Sequence, residues 1–70
     1  MPLKNNLKSY RKRLKINQSE LGKKVGVSRQ TISSIERGKY NPSVVLALKI
    51  ARVFDTSVEE IFSYKEEKNE

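Results

Sequence analysis

Apolar residues recur at intervals of three and four along almost the whole chain, the spacing of one helix face after another. Leu7, Tyr10 and Leu14 predict a first helix from about Asn6 to Lys15. The run Ile16-Asn17-Gln18-Ser19-Glu20-Leu21 then reads as a helix start. Asn17 can cap the free amides, Glu20 can close a capping box, and Ile16 with Leu21 occupies the positions of a hydrophobic staple. This second helix runs to about Val25 and stops at Gly26, a residue free to turn left-handed. Ser28 caps the third helix, with Val27 and Ile32 as its staple, and that helix runs from Arg29 to about Arg37 before Gly38.

Lys39-Tyr40-Asn41-Pro42-Ser43 is a loop, since Pro42 holds Asn41 extended and Ser43 is placed to cap the next helix. The fourth helix, Val44 to Phe54, is the most apolar and is predicted to be central and buried, with Val45, Leu48, Ala51, Leu46, Ile50 and Val53. Ser57-Val58-Glu59-Glu60 reads as another capping box opening a short fifth helix that ends near Ser63. The alternation in Phe62-Ser63-Tyr64 suits a strand paired with Leu3-Lys4. The predicted class is therefore all-α, with five helices and a small terminal β-pairing. Seventy residues leave room for one domain, taken as 1–64, followed by a charged acidic tail, 65–70.

Charge changes the picture. The chain carries 15 Lys and Arg against 8 Asp and Glu, a net charge of +7. Residues 1–16 hold six bases and no acid, whereas residues 55–70 are net negative, at −4. A basic body of this kind points to an anionic partner, nucleic acid first. Without Cys or His, thiolate metal sites, disulfides and the commonest general base are excluded, and no metal or other cofactor is expected. Glu20, Glu36 and Asp55 are scattered, and no glycine-rich phosphate loop exists, so an enzyme is not expected. The longest apolar run, Val44 to Leu48, is too short to span a bilayer, and the polar start lacks a signal sequence. A membrane partner is not expected and the predicted location is cytoplasmic.

Two short helices joined by a three-residue turn with Gly26 form a helix-turn-helix pattern. Leu21, Val25, Val27, Ile32 and Ile35 supply its inner contacts, and Gly22 sits where the two helices come closest. Through Asn17-Gln18-Ser19-Glu20-Leu21, Gly26-Val27-Ser28-Arg29-Gln30-Thr31-Ile32-Ser33 and Ile35-Glu36-Arg37-Gly38, the chain resembles the lambda-repressor/Cro, or XRE-type, family. Asn41-Pro42-Ser43 and Lys49-Ile50-Ala51 extend the resemblance to about residues 5–63. Gly22 departs from it, since the family usually has Ala there. Within the family the chain is most similar to compact stand-alone repressors, which dimerise through their C-terminal part. The resemblance implies a salt bridge between the positions of Arg11 and Glu36, a phosphate contact at that of Gln18, and base reading from the third helix.

The third helix supports that role by itself. At about 100° per residue, Ile32 and Ile35 face inward, while Gln30, Ser33, Ser34 and Arg37 face outward with Arg29 at the edge. Arg suits guanine and Gln suits adenine in the major groove, so Arg29, Gln30, Ser33 and Ser34 are the expected base readers. Gln18, Ser28, Arg37, Lys39, Tyr40 and Asn41 are the expected phosphate contacts. Asn41, Val58, Phe62 and Tyr64 are assigned to a dimer interface, on the argument that so short a fifth helix cannot bury both Ile61 and Phe62. The expected function is a sequence-specific double-stranded DNA-binding regulator, a homodimeric repressor reading an inverted repeat. The alternative is an antitoxin-like protein-interaction module on the same fold.

Overall fold

The computed structural model describes residues 3–64. The acidic tail assigned to 65–70 lies outside the described residues. The elements run β1 (Leu3–Asn5), α1 (Leu7–Arg13), α2 (Gln18–Val25), α3 (Arg29–Glu36), α4 (Val44–Val53), α5 (Val58–Ile61) and β2 (Phe62–Tyr64). β1 and β2 pair antiparallel, with Leu3 opposite Tyr64, Lys4 opposite Ser63 and Asn5 opposite Phe62.

Local chemistry sets the helix ends. Asn17 Oδ1 accepts from the Glu20 amide at 2.8 Å, and Glu20 Oε1 accepts from the Asn17 amide at 2.7 Å. Ser28, Ser43 and Ser57 each accept from the amide three residues ahead. At Ser57 the cap is one-sided, since the Ser57 amide does not donate back to the Glu60 carboxylate. Gly26 ends α2 at φ 81°, and Gly38 comes after α3 at φ 74°. Gly22 is buried, and a methyl group there would lie 2.5 Å from the Val27 carbonyl oxygen. The group that closes on Gly22 is therefore the backbone of the turn. Both Gly26 and Val27 donate their amides to the Gly22 carbonyl, at 2.7 and 2.9 Å.

The core comprises Leu7, Leu21, Val25, Ile32, Ile35, Leu46, Ala47, Ile50, Ala51, Ile61 and Phe62. Tyr10 packs on Phe54 with ring centroids 5.7 Å apart, joining α1 to the end of α4. Three sequence expectations need correction. Leu14 is exposed, because α1 ends before it and Lys15 turns left-handed at φ 58°. On α4 the buried row is Leu46, Ala47, Ile50 and Ala51, while Val45 and Leu48 point outward. The row is broad because α4 packs against α2 and α5. Finally, Ile61 and Phe62 are both buried, at 1% and 6% exposure. The chain leaves α5 at Phe62 with φ −116° and ψ 139°, and the strand pleat turns this ring inward.

One polar residue ties the terminal ribbon to the third helix. Asn5 Nδ2 donates to the Ile35 carbonyl at 2.9 Å, and Asn5 Oδ1 accepts from the Leu7 amide at 3.1 Å. Asn5 thereby caps the start of α1 and holds the end of α3. Replacing it by Ala removes both bonds and is expected to cost about 1–3 kcal/mol. A thermal midpoint equal to that of wild type, measured by circular dichroism, would show these bonds to be dispensable.

Candidate nucleic-acid interface

α3 buries Ile32 and Ile35 and turns its other side outward. Arg29 and Gln30 are exposed, and Ser33 and Ser34 are half-buried. Beyond the helix, Arg37, Lys39, Tyr40 and Asn41 are all exposed. Ser28, Gln30, Thr31, Ser34, Arg37, Lys39 and Tyr40 line one shallow depression of about 400 Å³. Arg29, Ser33 and Asn41 lie outside it. Thr31 is not among the residues singled out by the sequence. Its place one turn before Ser34 on the helix is the signal that could have included it. Its hydroxyl lies 3.2 Å from that of Ser28, so both polar groups share the start of α3.

This surface carries no acidic residue, although α3 contains one. Glu36 is turned back into the protein, its side chain 6% exposed. Its Oε2 accepts from Arg11 Nε at 2.7 Å, and its Oε1 accepts from Arg11 Nη2 at 3.1 Å. Gln18 Nε2 donates to the same Oε1 at 3.0 Å. Arg11, itself 11% exposed at the side chain, directs its remaining Nη1 to the Ile16 carbonyl at 3.1 Å. The hydrogen bond to Glu36 raises the Arg11 guanidinium pKa above its ordinary value, burial opposes that, and the charge of Glu36 adds to the rise. The Arg11–Glu36 pair thus joins α1, the segment before α2, the first residue of α2, and α3.

The network has a consequence for Gln18. Its side-chain amide nitrogen is already engaged, so an incoming phosphate at this end of α2 meets a side chain held in place. The capping box consumes the Asn17 and Glu20 amides, which leaves those of Gln18 and Ser19 at the helix start for an outside acceptor.

Breaking the pair from one side strands a nearly buried charge. Arg11→Met or Glu36→Met is each expected to cost about 3–5 kcal/mol. The double variant should lose less than the two single losses combined, with a coupling of about 1–3 kcal/mol. Denaturant unfolding of the four proteins measures this, and a coupling near zero would mean that the charges act independently.

The chain and its fold are similar to those of known proteins. A family model described as helix-turn-helix matches residues 7–61. An HTH-type transcriptional regulator of Methanocaldococcus jannaschii is 52% identical over 65 residues, covering 93% of this chain and 98% of the relative. The regulator SinR of Bacillus subtilis is 40% identical over 62 residues, covering 87% of this chain and 56% of SinR. Among solved structures, the P22 c2 repressor protein in complex with a synthetic operator superposes with a TM-score of 0.73 and 38% identity. That match covers 76% of this chain and 80% of the repressor chain.

Proposed function

The chain belongs to the helix-turn-helix family of the lambda-repressor/Cro type, and from that membership we propose a sequence-specific regulator of transcription that binds double-stranded DNA. In this reading it acts as a homodimeric repressor on an inverted repeat. The observation that carries the proposal is the outer face of α3: exposed Arg29 and Gln30, Ser33 and Ser34 beside them, and the helix's single acid locked inward by Arg11. The P22 c2 repressor, bound to an operator, shares this fold, which supports the same partner here.

The mechanism comes from placement. α3 enters the major groove with Arg29 and Gln30 near its leading end, where they hydrogen-bond base edges. Ser33 and Ser34 sit one turn later. Lys39, Tyr40 and Asn41, with Arg37 and Ser28, grip the sugar-phosphate backbone on one side, and Gln18 at the start of α2 grips it on the other. One α3 spans only a few base pairs, so two subunits read half-sites about 34 Å apart. The helix-turn-helix unit is taken as residues 1–64 and the acidic tail as 65–70. The DNA it acts on is cytoplasmic in this reading. No helix among the described residues is long and apolar enough to cross a membrane.

Selection of bound duplexes from a random pool should return one preferred inverted repeat. On that site Arg29→Ala or Gln30→Ala should each cost about 1–3 kcal/mol and relax the preference at one base position. Lys39→Ala should weaken every duplex alike and reduce the salt dependence of binding by about one phosphate contact. A Lys39→Ala protein that preferred different bases would overturn this division of labour. A wild-type protein indifferent to duplex sequence would favour a protein-interaction module instead.

A further inference from the structure

The ends of α2 and α4 come together on one side of the molecule, and each helix brings cations there. Lys23 and Lys24 of α2, with Lys49 and Arg52 of α4, line one open depression of about 560 Å³. Val25, Gly26 and Val53 complete its lining, and no acidic residue belongs to it. All four cations are exposed. Among the described residues the one ion pair is Arg11–Glu36, so none of the four has an ionic partner there.

Helix-end chemistry accounts for only part of this cluster. Lys23, Lys24 and Arg52 lie in the last turns of their helices, where a cation complements the carbonyl end. Each such end carries roughly half a negative charge, so two of them offset about one of the four positive charges. Lys49 answers no helix end. It stands three residues before Arg52 on the same face of α4, a spacing at which like charges repel. An anionic partner relieves that repulsion.

The composition of the depression selects the class of anion. Protein interfaces are anchored by aromatic side chains and are poor in Lys, whereas here three of the four cations are Lys and no aromatic residue takes part. Lys acts as a mobile point charge, suited to successive phosphates of a backbone. The depression is also remote from the candidate interface. Gln18 is at the opposite end of α2 from Lys23 and Lys24. Lys49 and Arg52 stand about 9 and 14 Å along α4 from Ser43, which closes the loop of Lys39, Tyr40 and Asn41. The depression beside α3 shares no lining residue with this one.

We propose that this depression is a second, sequence-independent phosphate site, which takes the backbone of a further stretch of double-stranded DNA while α3 faces the first. That stretch is a flank of the same duplex bent back onto the protein or a separate duplex, and the contact chemistry is the same for both. The site adds to the proposed function and does not depend on base reading by α3.

Lys23→Gln/Lys49→Gln removes one exposed cation from each helix and should stay folded by circular dichroism. Fluorescence anisotropy on the full chain uses three probes: a short duplex of the selected site, the same site with long flanks, and a labelled random-sequence duplex added to the preformed short complex. The variant should bind the short duplex as wild type does. Wild type should bind more tightly when flanks are present, which identifies the same duplex as the source, or should take up the added duplex, which identifies a separate one. The variant should lose that gain or uptake, and its slope of log affinity against log salt on the responding probe should be smaller by about 2. A variant that kept the gain or uptake would overturn the proposal, as would a wild type showing neither. Uptake of labelled poly-glutamate through these lysines, with no duplex taken up, would make the depression a protein-binding site and overturn it too. A wild type with no preferred sequence, whose uptake of random duplex still falls in the variant, would leave this site standing and sink base reading instead.

Discussion

A carboxylate on the helix proposed to enter the DNA groove is the central constraint. Left exposed, Glu36 would face a polyanion, and left buried and unpaired it would cost several kcal/mol (about 3–5). The fold meets both conditions by taking the carboxylate out of solvent and giving it three donors, two from Arg11 and one from Gln18. The pairing does more than neutralise. Arg11 comes from α1, Gln18 from the first turn of α2 and Glu36 from the last turn of α3, so the two helices of the motif are tied to each other and to α1 at this point. Gln18, which the proposed function places at a phosphate, is oriented by the same carboxylate that keeps α3 clear of acid. In that proposal, positioning of the backbone contact and presentation of the base-reading face are one piece of chemistry.

The same end of α3 is also held from further away. Gly38 and Asn5 both donate to the Ile35 carbonyl, at 3.0 and 2.9 Å. Asn5 is part of β1, whose partner β2 is the last described element, so the ribbon closes on α3. Asn6 reinforces this, with its amide donating to the Ile61 carbonyl at 2.8 Å. α3 is short, at eight residues. Helices of that length are marginal in isolation. Its geometry is imposed by Glu36, by Asn5 and by the burial of Ile32 and Ile35.

The features legible in the sequence are those decided within a few residues. Asn17 and Glu20, Ser28, Ser43, Gly26 and Gly38 announce helix ends because their bonds and φ angles are local. The inward pair Ile32 and Ile35 is legible too, since an eight-residue amphipathic helix has one apolar side. Periodicity alone does not say how wide a buried row is. On α4 that width depends on two neighbours, α2 and α5, and the sequence does not reveal their approach angles. Phe62 is a different case: its strand and the pairing with Leu3-Lys4 are legible in the alternation, but which side of the pleat meets the core is not, because helix spacing through Ile61 obscures the change of pleat. Asn5 binding Ile35, 30 residues away, leaves no sequence trace at all. At the candidate interface the outward residues are readable from helix geometry, whereas the depression joining Thr31 to Lys39 and Tyr40 needs the path of the loop after Gly38.

α4 explains why so small a chain carries so apolar a helix. In a domain of this size the surface is large relative to the volume enclosed, and a few buried side chains must hold every element. Leu46, Ala47, Ile50 and Ala51 do so by contacting α2 on one flank and α5 on the other. Val44, Val45 and Leu48 add nothing to that core, yet they occupy positions where polar residues would serve a monomer better. A second copy packed there, in the homodimer of the proposed function, gives this outer row a use, and the row is tied mechanically to the inner one. α4 packs on α2, and α2 packs on α3, so a symmetric contact across α4 passes through two rigid helices to both reading helices. The separation of the two α3 helices is then set by side chains on α4 that never approach DNA.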